Sequence, residues 1–329
     1  SVTGNDQVQL WDTTPGGRGE VVALSGEASM TAFSPDGTRL AARSDDGIII
    51  LDTSTWAPVA LLDHDGAFSA DTGATGVAWS PDGTRIVTSD PEGQPLVGPG
   101  HIRIWNATTG ALAKTLSDDR QPQGDLAFSV GGAIAAAMCQ RSGDGSSWES
   151  PARVWDGDSG DELFVVPIAD CGAAVDLDPA GRLLALQIEG REEVQLWDVE
   201  IGARVGTIAH APGSEGETRF SPDGSRLLTA GIDWTTKIWD VTTFEPLLTL
   251  EGHTGAITQA VWAPDGTTIV TGGADGTVRL WDADTGDVQL VLTGHQGPVL
   301  GLSVNPDGTR LASSGADGVV RVWAIDLDD

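Results

Sequence analysis

Five histidines, two cysteines and many carboxylates are the residues of this 329-residue chain that could do chemistry. Histidine serves as a metal ligand or as an acid–base group near neutral pH, so spacing decides what His64, His101, His210, His253 and His295 can do. They are spread along the units of an internal repeat, which predicts that they do not converge on one metal. Four of them precede a short apolar stretch, and His101 begins one. Most aspartates sit where turns want them: Asp36, Asp82, Asp223, Asp265 and Asp307 in Pro-Asp-Gly-type turns, and Asp12, Asp198, Asp240 and Asp282 just after a tryptophan. There is no Gly-x-Ser-x-Gly, no glycine-rich phosphate loop with lysine and no His-Glu-x-x-His. The best calcium-loop candidate, Gly143-Asp144-Gly145, has one carboxylate where alternating oxygen ligands and a closing Glu are needed. Cys139 and Cys171 end and precede strands that point toward the same face, and read either as buried thiols or as a disulfide. The chemistry-bearing residues therefore predict no enzyme, no metal and no cofactor.

The composition places these residues on many short strands. Twelve Trp, 6 Phe and no Tyr imply that tryptophan fills a repeated niche, while 44 Gly and 17 Pro imply many turns. A net charge of −30 repels phosphate and anionic lipid, which excludes nucleic acid as a partner and predicts a monomer. No apolar run is long enough for a spanning helix and no signal-peptide pattern follows Ser1, so the expected setting is cytoplasmic, with no membrane partner.

Self-similarity supplies the architecture. The clearest copy runs Gly252-His253, Ala260-Val261-Trp262-Ala263-Pro264-Asp265-Gly266, Thr271-Gly272-Gly273-Ala274-Asp275-Gly276 and Leu280-Trp281-Asp282. The next has Gly294-His295, Asn305-Pro306-Asp307-Gly308, Ala316-Asp317-Gly318 and Val322-Trp323. Trp155, Trp197, Trp239, Trp281 and Trp323 recur every 42 residues; Trp11, Leu51 and Trp105 close earlier units. Four Val/Ile/Leu-rich strands per unit at this period predict the blades of a β-propeller.

These elements resemble the WD40 repeat across essentially the whole chain. The resemblance implies an all-β, seven-bladed propeller of four-stranded antiparallel blades. It also implies a hydrogen-bonded tetrad of His, Ser/Thr, Asp and Trp inside each regular blade. By alignment the tetrads are His253, Thr271, Asp275 and Trp281; His295, Ser313, Asp317 and Trp323; and, with the His one residue out of register, His210, Thr229, Asp233 and Trp239. Earlier blades depart: Ala42 replaces the hydroxyl, Leu51 replaces Trp, and the third and fourth blades lack the His. Counting strands leaves the last blade one short, and Glu20 to Leu24 is the expected closing strand, so 20–329 is the propeller. Residues 1–19 then carry a surplus strand resembling the end of an upstream repeat. It implies a further domain upstream in the same polypeptide, a strand laid on the outside, or a competitor for the last blade.

The same resemblance places the usual docking surface on the face of the Gly-His and Asp-Gly loops. Three extensions are expected on one rim of that face: 63–73, Pro91 to Gly100, and Arg141 to Pro151. Trp148 has no strand position to explain it, so Arg141, Trp148 and Glu149 are the candidate contacts for a protein or peptide, with Trp56 expected on the opposite face. Positions next to the channel mouth, Ser29, Thr75, Gly124, Ala173, Gly216, Thr258 and Leu300, are small or apolar and predict no phosphate grip. The leading reading is an interaction scaffold. The alternatives are a ligand-sensing domain of a larger bacterial signalling protein, an ATPase or Ser/Thr kinase, and an enzyme at the channel mouth.

Overall fold

In a computed structural model, residues 10–12, 19–23, 30–44, 47–62, 76–91, 100–118, 121–141, 148–149, 152–166, 172–188, 191–209 and 217–325 are described. They form strands and turns, and the strands assemble into seven four-stranded antiparallel blades. Blade one spans 31–62, and blades two to six span 77–118, 121–166, 172–209, 217–251 and 257–293. Blade seven takes its three inner strands from 299–324 and its outer strand, Gly19–Ala23, from the other end of the chain. Gly19 pairs Trp323, Val21 pairs Arg321 and Ala23 pairs Val319. Leu10–Asp12 lies outside it as a fifth strand, with Trp11 opposite Val21.

Strand burial follows position in the blade. Thr268–Gly273, the second strand of blade six, is buried at every residue, whereas the outer strand Val288–Thr293 has no buried residue. A strand covered on both faces is read as a continuous apolar run, and an outer strand as a mixed one. The core is not central but interleaved. One apolar cluster joins Leu40, Ile49 and Leu51 of blade one to Ala312, Val320 and Val322 of blade seven. Others join blade one to two, two to three, and so on to six and seven.

Polar ties cross the same boundaries. The arginine four residues after the turn proline reaches a carbonyl of the next blade: Arg39 Nη1 to Ala107 O at 2.6 Å, Arg85 to Gly157 O at 2.5 Å, Arg226 to Ala283 O at 3.1 Å. Arg310 does so across the ring junction, reaching Thr53 O at 3.2 Å. The Pro-Asp-Gly turns are closed by their own carboxylate: Ser80 Oγ donates to Asp82 at 2.6 Å and Thr84 N at 3.0 Å. The Ser80 hydroxyl and then the Thr84 amide pull the Asp82 carboxyl down to about 2. Gly83 completes that turn at φ 68°, a region open to glycine at no steric cost.

Trp56 lies at the expected end of the ring, with the Pro-Asp-Gly turns, but its side chain is buried. It belongs to the turn between Gly47–Asp52 and Pro58–Leu62, but it is only 3% exposed and packs with Leu51 and Phe33. Its φ of 56° occupies the slot that Gly286 fills at 79° in blade six. Such a backbone costs an L residue roughly 1–2 kcal/mol. Burial of the indole offsets this, supplying bulk beside Leu51 where other blades carry their closing Trp.

Removing 1–24 strips the outer strand from blade seven, whereas removing 1–12 removes only the fifth strand. The longer deletion is expected to lower the melting temperature much more in a thermal melt; equal losses contradict the closing role of Gly19–Ala23.

Candidate functional site

Antiparallel four-stranded blades put two sets of connections at opposite ends of the ring. The Pro-Asp-Gly turns and the turns after the closing Trp share one end. The loops entering each blade and those between its second and third strands share the other. Blade six shows the second set tied together: His253, ahead of Ile257–Trp262, meets Asp275, between Thr268–Gly273 and Thr277–Asp282.

The tie continues inward. His253 Nδ1 lies 3.0 Å from Asp275, His253 Nε2 lies 2.8 Å from Thr271 Oγ1, and Trp281 Nε1 donates to Thr271 Oγ1 at 2.8 Å. Blade seven repeats this with His295 Nδ1 and Asp317 at 3.0 Å, His295 Nε2 and Ser313 Oγ at 2.8 Å, and Trp323 Nε1 to Ser313 Oγ at 2.8 Å. Burial outweighs the carboxylate and holds both imidazoles below their ordinary 6.5, so they are neutral. Nδ1–H then donates to the carboxylate and the hydroxyl donates to Nε2. Burial also pushes the Asp275 carboxyl up, but the Thr254 and Thr277 amides, the Thr277 hydroxyl and His253 together hold it at about 2.

Carboxylate, imidazole and hydroxyl in this order are the parts of an acyl-transfer triad. Here the hydroxyl cannot attack: Thr271 and Ser313 are 0% exposed and each already accepts an indole N–H. The arrangement ties strands and loops together.

Other blades carry less of it. In blade five Trp239 Nε1 donates to Thr229 at 2.8 Å, while Asp233 faces Lys237 at 3.7 Å and is more exposed than Asp275; His210 lies outside the described residues. Blade two has the Trp105–Thr88 bond at 2.8 Å, which alignment at regular spacing missed because the pair is 17 residues apart instead of 10. Ala42, Ala136 and Leu186 occupy the hydroxyl position in blades one, three and four, opposite Ile49, Arg153 and Gln195. Trp197 turns to Gln195 Oε1 instead, at 3.1 Å.

The channel mouth corrects a second expectation. The small or apolar positions Thr258 and Leu300 are there, with Ser29, Thr75 and Gly216 outside the described residues. One and three positions past Gly216, however, Glu217 and Arg219 pair at 2.8 Å, and Gln259 Nε2 donates to Glu217 at 2.5 Å. Asp176 accepts Phe220 N at 2.7 Å beside them. Arg219 and Gln259 line a cavity of about 200 Å³ whose other walls include Met30, Val77, Leu126, Val261 and Leu300. One polar arc on blades four to six thus faces an apolar one. The missed signal was the Glu-Thr-Arg at the start of the blade-five inner strand, where blades one, two, six and seven have neutral residues and blades three and four have a single Asp, Asp125 and Asp176.

On the rim, residues 63–73 and 142–147, with the Gly143-Asp144-Gly145 stretch, lie outside the described residues, as do His64 and Cys171. His101 sits opposite Asp90 and Cys139 opposite Gln121 within their blades. Trp148 does have a strand position. The nine-residue strand Ala133–Arg141 outruns its blade and pairs with Trp148–Glu149, placing Arg141 opposite Trp148 and Gln140 opposite Glu149. Among the described residues no group of three His, Cys, Asp or Glu is placed to hold a metal.

Four segments match the family model of the WD domain, G-beta repeat: 63–106, 216–240, 244–282 and 286–324. No curated protein matches the chain. The matched segments contain Trp105, Trp239, Trp281 and Trp323, the closing tryptophans bonded to a buried Thr or Ser. The unmatched blades are those with Ala42, Ala136 and Leu186.

Trp281→Ala is expected to cost roughly 3–5 kcal/mol in denaturant unfolding, and Asp275→Ala on the order of 1–3 kcal/mol. Unchanged melting of Asp275→Ala with lost binding would make it a recognition residue. Acid sensitivity is the second expectation. The unfolded chain protonates its histidines below 6.5 while His253 and His295 stay neutral, so stability falls as pH drops through that value. A further loss begins below 3.8, where unfolded carboxyls protonate and Asp275, held at about 2, does not. In calorimetry between about pH 7 and about pH 5, replacing both histidines by Gln should flatten the profile.

Proposed function

Because the chain is a seven-bladed propeller carrying WD40 repeats, we propose that it is a scaffold that docks a protein or peptide on its Gly-His loop face, beside blades two and three. Propellers of this kind are generally protein-interaction scaffolds. The observation that carries the finer reading is the ribbon formed by Ala133–Arg141 and Trp148–Glu149. It extends past the end of blade three, and its register sets an arginine opposite a tryptophan, two residue types enriched among interface anchors. Blade two adds its own extension between Pro91 and Gly100, which pair as the last rung of their hairpin. Glu149 and Gln140 supply polar positions on the same ribbon. The −30 charge supports a monomer and disfavours nucleic acid and anionic lipid as partners.

A second reading, a ligand-sensing domain, draws on the cavity beside Glu217, Arg219 and Gln259. A partner recovered with the isolated domain distinguishes the two. Trp148→Ala should weaken its binding at least about tenfold with little change in melting temperature. Val130→Ala, 70% exposed in the blade-three turn at the opposite end, should leave binding intact. Unchanged affinity for Trp148→Ala, or hydrogen-exchange protection confined to the Pro-Asp-Gly turns, defeats the rim assignment. Protection confined to the inner strands around the cavity favours the second reading.

A further inference from the structure

Three aromatic residues occupy left-handed backbone: Trp56 at φ 56°, Phe244 at 61° and Trp234 at 67°. A bulky L residue there is strained, so something must compensate. For Trp56 the compensation is its place in the core between blades seven and one. Phe244 packs against the cluster between blades four and five, its ring lying over Gly206, where even a Cβ would come within 2.3 Å. Trp234 shows neither. It stands in the loop between Arg226–Ala230 and Thr235–Asp240, is 51% exposed, and joins none of the apolar clusters among the described residues. Sister blades put glycine at this position, Gly276 at φ 75° and Gly318 at φ 74°. The fold therefore accepts glycine here, and blade five carries a half-exposed indole instead. Ile232, 46% exposed, extends the apolar surface.

The loop lies on the Gly-His face and reaches the channel mouth, since Gly231 O accepts Ile257 N at 3.2 Å at the start of the strand bearing Gln259. Its charged neighbours are mostly acidic: Asp233 precedes Trp234, and exposed Glu251 pairs with Thr235 across the blade, with Lys237 near Asp233 at 3.7 Å. An exposed indole among carboxylates suits a guanidinium, which stacks on the ring face while the acids balance its charge.

We propose that Trp234 and Ile232 anchor an extended, arginine-containing, partly apolar peptide segment of a protein partner. This rests on the reading of the chain as an interaction scaffold, but not on the blade-three ribbon. The test titrates an unstructured fluorescein-labelled peptide of arginine, leucine and serine, and its counterpart with glutamate for arginine, against the whole chain. Wild type should bind the arginine peptide and not the glutamate one. Trp234→Gly should weaken binding at least about tenfold while its melting temperature stays the same or rises, because the strain is removed. Trp234→Phe should retain most of the affinity. Attraction by net charge alone would survive Trp234→Gly unchanged, and that result overturns the proposal, as does no binding by wild type. A lower melting temperature for Trp234→Gly also overturns it, by showing that the ring packs on its own chain. Loss with Trp148→Ala and not with Trp234→Gly moves the contact to the blade-three ribbon, refuting this anchor and leaving the ribbon reading intact.

Discussion

A four-stranded blade that is apolar on both faces can exist only between two others. This constraint governs the molecule. Trp239 of blade five packs with Ala185 and Leu196 of blade four, and Trp281 of blade six with Leu228 and Ile238 of blade five. Each blade thus hides its neighbour's apolar face, and a first or last blade would leave one bare. Closure removes that problem, with a strand from one end of the chain completing a blade built by the other. The blade-seven-to-one boundary has the same components as the boundaries one–two, two–three and five–six, an apolar cluster and an arginine reaching a carbonyl.

The large negative charge is compatible with this ring because many carboxylates are fixed locally. Asp52, Asp156, Asp240 and Asp282 each accept two backbone amides of the turn that follows, which lowers each of their pKa values. Asp36, Asp82 and Asp223 each accept a serine hydroxyl and one backbone amide in the turn of the other hairpin. Acidity that would count as mutual repulsion in a table of charges is spent as hydrogen-bond acceptance. Four of the scarce arginines, Arg39, Arg85, Arg226 and Arg310, go to blade boundaries, where a fork of donors can reach a carbonyl and an acid together, as Arg226 does with Ala283 O and Asp284.

Much of this was legible because a period of 42 residues cannot be satisfied by local structure alone. Blade number and strand order followed from it, and so did the residues that meet in blades six and seven. What escaped were departures from the period. Thr88 and Trp105 are separated by the 91–100 extension, so a fixed offset does not pair them, although the sheet does. Glu217 and Arg219 lie one and three residues past Gly216, so the repeat positions nearest the channel mouth do not include them. The inter-blade arginines recur four residues after Pro35, Pro81, Pro222 and Pro306, but a recurring residue announces only that it matters, not which blade it touches. Trp148 carries no strand signature in the sequence because a two-residue strand leaves no periodicity to see.

These departures sort into two kinds. Trp56 and Phe244 stand where glycine would fit, and the ring of each goes inward, so their strain is offset within the fold. The Ala133–Arg141 strand runs past the end of its blade, and Trp234 joins no apolar cluster among the described residues. Blades five to seven keep short loops, each tied by an Asp to the backbone amide two residues on. Such a loop cannot grow without breaking its ties, so it can acquire a contact surface only by exchanging a single side chain, which is what Trp234 is. Blade three instead lengthens a strand, and the ribbon is the result. Recognition can therefore be carried in two ways on this face: by one side chain on a short loop held by its Asp, and by a strand that has outgrown its blade.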